Sequence, residues 1–377
     1  MDFNALLLLM VQKKASDLFI TAARAPTIKV DGNLIEVSKK PLTAEQSLKI
    51  VLSIMDQRQR EEFESTKECQ FALGVTGVGR FRVSAFTQRD SAGMVLRRIE
   101  NEIPDTDTLN LPPILNQLAM EKRGLVLFVG ATGTGKSTSL AALIKHRNLN
   151  STGHIITIED PIEFQHPHMG CIITQREVGI DTESYEVALK NTLRQAPDVI
   201  LIGEIRTRET MQNAITFAET GHLCLSTLHA NNANQALDRI LHFFPEKMHG
   251  QLLMDLSLNL KGIVAQQLIK RIDGKGRYPA VEIFLNTPLA KDYIRKGEVH
   301  KLKELMRDSR ELGMQTFDQA LFDLHKADKI SYEDALNYAD SRNDVRLMIK
   351  LNAENIKGYE NSEGIELRDT HEQLFYK

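Results

Sequence analysis

The sequence predicts an α/β protein: a small N-terminal α/β domain, an α/β core on a parallel sheet, and a mainly helical C-terminal part. Three observations carry this. A glycine-rich turn sits between an apolar strand and a helix, at Gly130–Ser137. From Ile114 onward apolar strands alternate with helical stretches, the pattern of a parallel sheet with helices on its faces. Asn101–Pro113, with three prolines and several Asp and Thr residues, breaks the chain before that region. The expected divisions are 1–100, a linker at 101–113, the core at 114–262, the helical part at 263–350 and a tail at 351–377. The tail is polar, net acidic and weakly periodic, so it is expected to be poorly ordered.

The elements follow in order. Ala5–Val11 is apolar but too short to span a bilayer, and it lacks the flanks of a signal peptide. It reads as a first helix packed by Leu6, Leu7 and Met10. Asp17–Ile20 and Thr27–Val30 read as strands, with Val30-Asp31-Gly32-Asn33 supplying a hairpin turn. Thr43 to Arg60 reads as one helix, opened by the capping box Thr43-Ala-Glu-Gln46. In the strand Arg80–Phe86, Arg80, Arg82 and Ser84 take one face and Phe81, Val83 and Ala85 the other. Met94–Ile99 is a further short strand. The core strands are expected at Leu125–Val129, His154–Ile158, Val199–Ile202 and Leu223–Leu228. Beyond about Gly262 the chain reads as mostly helical, with helix starts at Thr316–Gln319 and Ser331–Asp334.

Bulk composition narrows the function classes. The 377 residues, 42% hydrophobic and 26% charged, are those of an ordinary globular protein long enough for about two domains. A net charge of −3 and a pI near 6.4 give no general pull toward nucleic acid or anionic lipid. Cys69, Cys171 and Cys224 stand far apart without CxxC spacing. That argues against a disulfide framework and against zinc, and it fits a reducing, cytoplasmic setting. Membrane contact is expected only through a partner.

The chemistry begins at Gly130-Ala131-Thr132-Gly133-Thr134-Gly135-Lys136-Ser137, with Thr138 beside it. The pattern GxxxxGK[ST] is matched in full, after a buried-type strand and before a helix, which is the context that confirms it. Its glycines let successive backbone N–H groups converge on phosphate oxygens, and the helix adds its positive N-terminal end. Lys136 is expected to reach the β- and γ-phosphates of ATP, and Ser137 to ligate Mg²⁺.

Carboxylates are expected at the open edge of the sheet. Glu159, Asp160 and Glu163 follow the strand His154–Ile158, because Pro161 cannot continue a central strand. Glu204 follows Val199–Ile202 and Gly203, where an aspartate is commoner beside a phosphate loop. It could hold Mg²⁺ through a water or act as the base, so the roles of Glu163 and Glu204 stay open on this reading. His222 and His229 are seven apart around a strand, hence on opposite faces and a poor metal pair. His229, at the strand end, could feel the γ-phosphate.

Taken together, Gly130–Ser137, Thr157–Phe164, Asp198–Arg206 and Gly221–His229 resemble the Walker A, Asp box, Walker B and His box of the type II/IV secretion ATPases. Within that family the chain is similar to the twitching-motility retraction ATPases of type IV pili, the PilT/PilU group, supported by Gly313–Asp318 and by the lack of a four-cysteine zinc site. Leu289–Arg295 departs from the PilT pattern, and together with Ser341–Arg346 this makes the chain look more like the accessory branch. The resemblance implies a PAS-like N-terminal domain, a RecA-like ATPase domain, and a homo-hexamer beneath the inner membrane. It implies two further partners, an inner-membrane platform protein and a sister ATPase. It assigns Glu163 to the attacking water, Glu204 to Mg²⁺ and His229 to sensing the γ-phosphate.

In a ring, charge at the phosphates can be completed by a neighbouring subunit. Arg80, Arg82, Arg97 and Arg98 are the candidates, the first two foremost. Two alternatives compete with the motor. A DNA translocase on the same core is disfavoured by the acidic pI and by the lack of a basic stripe interleaved with aromatics. A ring subunit that binds ATP with little turnover is disfavoured by the intact Lys136, Glu163 and Glu204.

Overall fold

The computed structural model describes residues 3–30, 32–99 and 102–362, with side chains as far as Asn352. The chain opens with α1 (Phe3–Gln12), which buries Leu6, Leu7 and Met10 as its spacing requires. Strands β1 (Asp17–Ile20), β2 (Thr27–Val30) and β3 (Asn33–Glu36) follow. β2 and β3 pair antiparallel with Val30 opposite Asn33, the register of the expected hairpin, although Asp31 itself lies outside the described residues.

The single helix expected from Thr43 to Arg60 is two helices, α2 (Ala44–Ser53) and α3 (Gln57–Thr66). Asp56 caps α3 through the N–H of Gln59, and Gln59 reaches back to the N–H of Asp56. The second capping box stops the first helix, and its signature Asp-x-x-Gln is present in the sequence. Next come β4 (Glu68–Val75), β5 (Gly79–Gln88) and β6 (Ser91–Arg98). In β5, Phe81, Val83 and Ala85 are buried while Arg80, Arg82 and Ser84 are half-buried on the opposite face.

Residues 102–113 contain no helix or strand. Beyond them lie α4 (Ile114–Ala119), β7 (Gly124–Val129), α5 (Lys136–Asn150), β8 (Gly153–Glu159), β9 (Cys171–Glu177), α6 (Tyr185–Thr192) and β10 (Val199–Ile202). Then follow α7 (Arg208–Glu219), β11 (Leu223–Leu228), α8 (Ala233–His242) and α9 (His249–Asn259). The helical run expected from Gly262 is instead preceded by a long antiparallel ribbon, β12 (Leu260–Lys270) and β13 (Arg277–Leu285). β12 lies between β7 and β13, and its burial on both faces removes the alternation by which a strand is recognised. The helical part follows it, with Thr316 and Ser331 capping their helices as expected. The last helix, Arg342–Ser362, runs into the expected tail, and residues 363–377 lie outside the described residues.

Two compact units interleave in sequence: residues 1–105 with 141–204, and residues 106–140 with 205–377. In the first, a six-stranded antiparallel sheet has the order β3-β2-β1-β6-β5-β4. Leu7, Leu18, Phe81, Val83, Met94 and Leu96 form its core, each worth about 1.5–3 kcal/mol on burial. The same unit holds the parallel strands β10, β8 and β9, with β8 in the middle. In the second unit the order is β13-β12-β7-β11, and β7 is parallel to both its neighbours. Every residue of β7 and β11 is buried, which is why both read as unbroken apolar runs. Among the described residues no helix is long and apolar enough to cross a membrane.

Candidate active site

β7 ends at Val129 and the chain turns sharply at Gly130, whose φ is +152°. A side chain there would be strained, and its Cβ would stand 2.7 Å from the Gln266 carbonyl oxygen and 2.6 Å from Thr134 Oγ1. The loop is braced internally: Thr134 Oγ1 donates to the Ala131 carbonyl at 2.9 Å. Lys136, buried, donates from Nζ to the carbonyls of Gly130 and Ala131, both at 2.8 Å. Its ammonium is therefore held against the loop by local contacts. α5 starts at Lys136, so the first backbone N–H groups of the helix lack acceptors one turn back and form an anion-binding end. Ser137 is exposed in that first turn and Thr138 half-buried.

β12 supports the loop from behind. Gln266 is almost wholly buried; its Nε2 donates to the Thr134 carbonyl at 2.9 Å, and its Oε1 accepts from Ser139 Oγ at 2.8 Å. Sequence reasoning missed it, because the segment reads as helical and carries no motif.

His229 enters the same unit's site through strand register. Leu228 of β11 pairs with Val129 of β7, so Gly130 and His229 leave adjacent strands at the same edge. A cleft of about 300 Å³ is lined by Gly130, Ala131, His229, Asn231, Gln235 and Arg239. Arg239, on α8, is a positively charged lining residue that the sequence reading did not single out. His222 stands at the other end of β11, with Nδ1 3.2 Å from the Phe217 carbonyl oxygen. The six-residue strand separates the two histidines by roughly 20 Å, too far to share an ion.

The expected acids lie in the first unit. Glu159 closes β8, and Gly203, one residue before Glu204, donates its N–H to the Ile158 carbonyl at 2.7 Å. The two strand ends carrying Glu159 and Glu204 are thereby brought side by side. Glu159 Oε1 accepts from Thr157 Oγ1 at 2.6 Å and from Gln175 Nε2 at 3.2 Å. Desolvation pushes its pKa up to about 7; the two hydrogen bonds oppose this, and the charges of Glu163 and Glu177 reinforce it. Glu163 is exposed and Glu204 half-buried.

Glu177, at the end of β9, is a buried acid that the sequence reading missed along with its strand. Burial raises its pKa, while the N–H of Ile162 and the charges of Arg82 and Arg80 act in the opposite direction. Arg80 and Arg82 thus face a carboxylate of their own chain. Arg97 is committed elsewhere, donating from Nε to Asp17 at 2.9 Å.

Residues 2–319 match the family described as Type II/IV secretion system protein. The chain is 66% identical to the type IV pilus ATPase PilU of Pseudomonas aeruginosa over 94% of its length and 93% of that protein. It is 40% identical to the type IV pilus retraction ATPase PilT of the same organism, over 89% of its length and 97% of that protein. Among solved structures, that of the pilus retraction motor PilT with bound ADP superposes with a TM-score of 0.85 at 38% identity, covering 90% of this chain and 98% of that one. The chain belongs to the type II/IV secretion system protein family.

Proposed function

We propose that this chain is an ATPase of the type IV pilus machinery, and that a ring of its copies converts ATP hydrolysis into retraction of the pilus. One observation carries the reading: a fully formed phosphate loop, braced by Lys136 and Gln266 and continuous with the anion-binding end of α5, in a chain 66% identical to a pilus ATPase.

On this reading Gly130–Thr138 enclose the triphosphate and Lys136 moves from its own loop carbonyls to the β- and γ-oxygens. The donors suit a hard divalent cation. Ser137 offers an exposed hydroxyl and Glu204 a carboxylate, and such an ion takes oxygen ligands and keeps several waters. Bound Mg²⁺ supplies charge neutralisation at the phosphates. Glu163 orients the attacking water, and His229 and Arg239 approach the γ-phosphate from the cleft beside Gly130. Arg80 and Arg82 complete the charge at the phosphates of a neighbouring subunit.

The architecture we assign is a PAS-like N-terminal domain within 1–100, a hinge at 101–113, a RecA-like core from 114 whose sheet runs on through β12 and β13 to Leu285, and a mainly helical extension from there to 350. Six copies form the ring, which works at the cytoplasmic face of the inner membrane, held there by a platform protein and assisted by a sister ATPase. Two measurements test this. Purified protein should release phosphate from ATP without stimulation by single-stranded DNA. A deletion strain retaining the sister ATPase should be hyperpiliated and impaired in retraction. Absence of Mg-nucleotide affinity in calorimetry would sink the reading.

A further inference from the structure

We infer that Gln266 is a positioning residue of the nucleotide site, which aims the Gly135 N–H at the phosphates by pinning the Thr134 carbonyl. The inference rests on the reading of Gly130–Thr138 as an ATP site. Its basis is the orientation of one side-chain amide. Gln266 Nε2 donates to the Thr134 carbonyl at 2.9 Å, and Oε1 accepts from Ser139 Oγ at 2.8 Å. Swapping the two ends would set the amide oxygen against the Thr134 carbonyl oxygen, which can only accept, so that contact fixes which end faces the loop; the Ser139 hydroxyl then donates to the other end.

The peptide between Thr134 and Gly135 is planar, with its C=O and N–H pointing in opposite directions. Holding the carbonyl toward β12 therefore turns the N–H of Gly135 to the other side of the loop. That N–H is one of the group on which a phosphate loop depends. Gly135 is matched to the clamp: its φ is +87°, and a Cβ would stand 2.8 Å from Gln266 Nε2. The side chain is almost fully buried, and Ser139 ties it to the first turns of α5. Gln266 thus couples β12, the loop and the helix that follows it, and touches no phosphate itself.

The test is calorimetry of Mg-ADP binding to the full chain, alongside its melting temperature without nucleotide. Gln266→Met keeps the volume and loses both hydrogen bonds; ADP affinity should fall about ten-fold, the scale of one buried contact. Gln266→Glu separates aiming from packing. At pH 8 its carboxylate cannot donate to Thr134, and binding should be weakened as in the Met variant. As the pH falls toward 6 the buried acid takes up a proton and donates again, so its affinity relative to wild type should recover. A purely structural role would lower the melting temperature of both variants and leave that ratio independent of pH. Gln266→Met within two-fold of wild type, or a pH-independent ratio for Gln266→Glu, overturns the inference. If neither variant folds, Ser139→Ala, which releases the far end of the amide, should weaken ADP a few-fold; unchanged affinity there overturns it equally. Failure of the wild-type chain to bind Mg-ADP would instead remove the ATP reading beneath it.

Discussion

The backbone N–H of Ala233 donates to the carboxylate of Glu282 at 2.8 Å, which sets a buried acid from β13 against the first turn of α8. The N–H of Phe317, at the start of a second helix, also acts on Glu282 and like that of Ala233 lowers its pKa; the first of these helices begins shortly after His229. Burial pushes its pKa up to about 7, against the opposing pull of those N–H donors. Because the folded value lies above the unfolded one, the contribution of Glu282 to stability is fully present below about pH 4.5 and lost as pH rises through about 7. Glu282→Gln should flatten that dependence, worth up to about 3 kcal/mol. Melting temperatures of both proteins at pH 5 and pH 8 check it; an identical pH dependence would remove Glu282 as its source.

Lys136→Ala should weaken Mg-ATP by about ten- to hundred-fold, since a hydrogen bond to a charged group is worth about 1.5–3 kcal/mol. The fold should survive, because the carbonyls that its ammonium engages, those of Gly130 and Ala131, belong to its own loop. Calorimetry with the non-hydrolysed analogue, beside a melting curve, separates the two effects.

Glu163→Gln should reduce phosphate release by about 10²–10⁴, the range for losing a general base, with ADP affinity nearly unchanged. Glu204→Gln should instead raise the Mg²⁺ concentration needed for half-maximal turnover. The reverse pattern in a Mg²⁺ titration of both variants would exchange the two roles.

Arg80→Ala and Arg82→Ala should each lower turnover by about 10³ or more if they reach the phosphates of a neighbouring subunit. Each should also raise the pKa of Glu177 further, because both charges now oppose the effect of its burial. Normal turnover in both variants would confine the arginines to neutralising Glu177.

Much of the fold was legible locally. The strands Asp17–Ile20, Thr27–Val30, Val199–Ile202 and Leu223–Leu228 begin and end where the residues indicate, because turn and breaker residues flank apolar runs of strand length. The cap at Thr43 forms as its spacing requires, and the one at Asp56 has an equally plain signature in the sequence. β4, β9, β12 and β13 were not recognised. Gln266, Gln267, Lys261 and Lys270 give β12 a composition suited to a helix, and only pairing on both edges makes it a strand.

The sequence alone pointed to a phosphate loop at Gly130–Ser137, since glycines, a lysine and a serine at that spacing would act through local backbone geometry. It also placed Glu159 and Glu204 at strand ends, because Pro161 and Gly203 interrupt the apolar runs beside them. Tertiary structure decided the companions of those residues. Strand register brought His229 beside Gly130, β12 delivered Gln266 to Thr134 from 132 residues away, and β5 turned Arg80 and Arg82 toward Glu177. Such contacts depend on which strands pair and in what register. Long-range packing sets both, and no short stretch of chain encodes them.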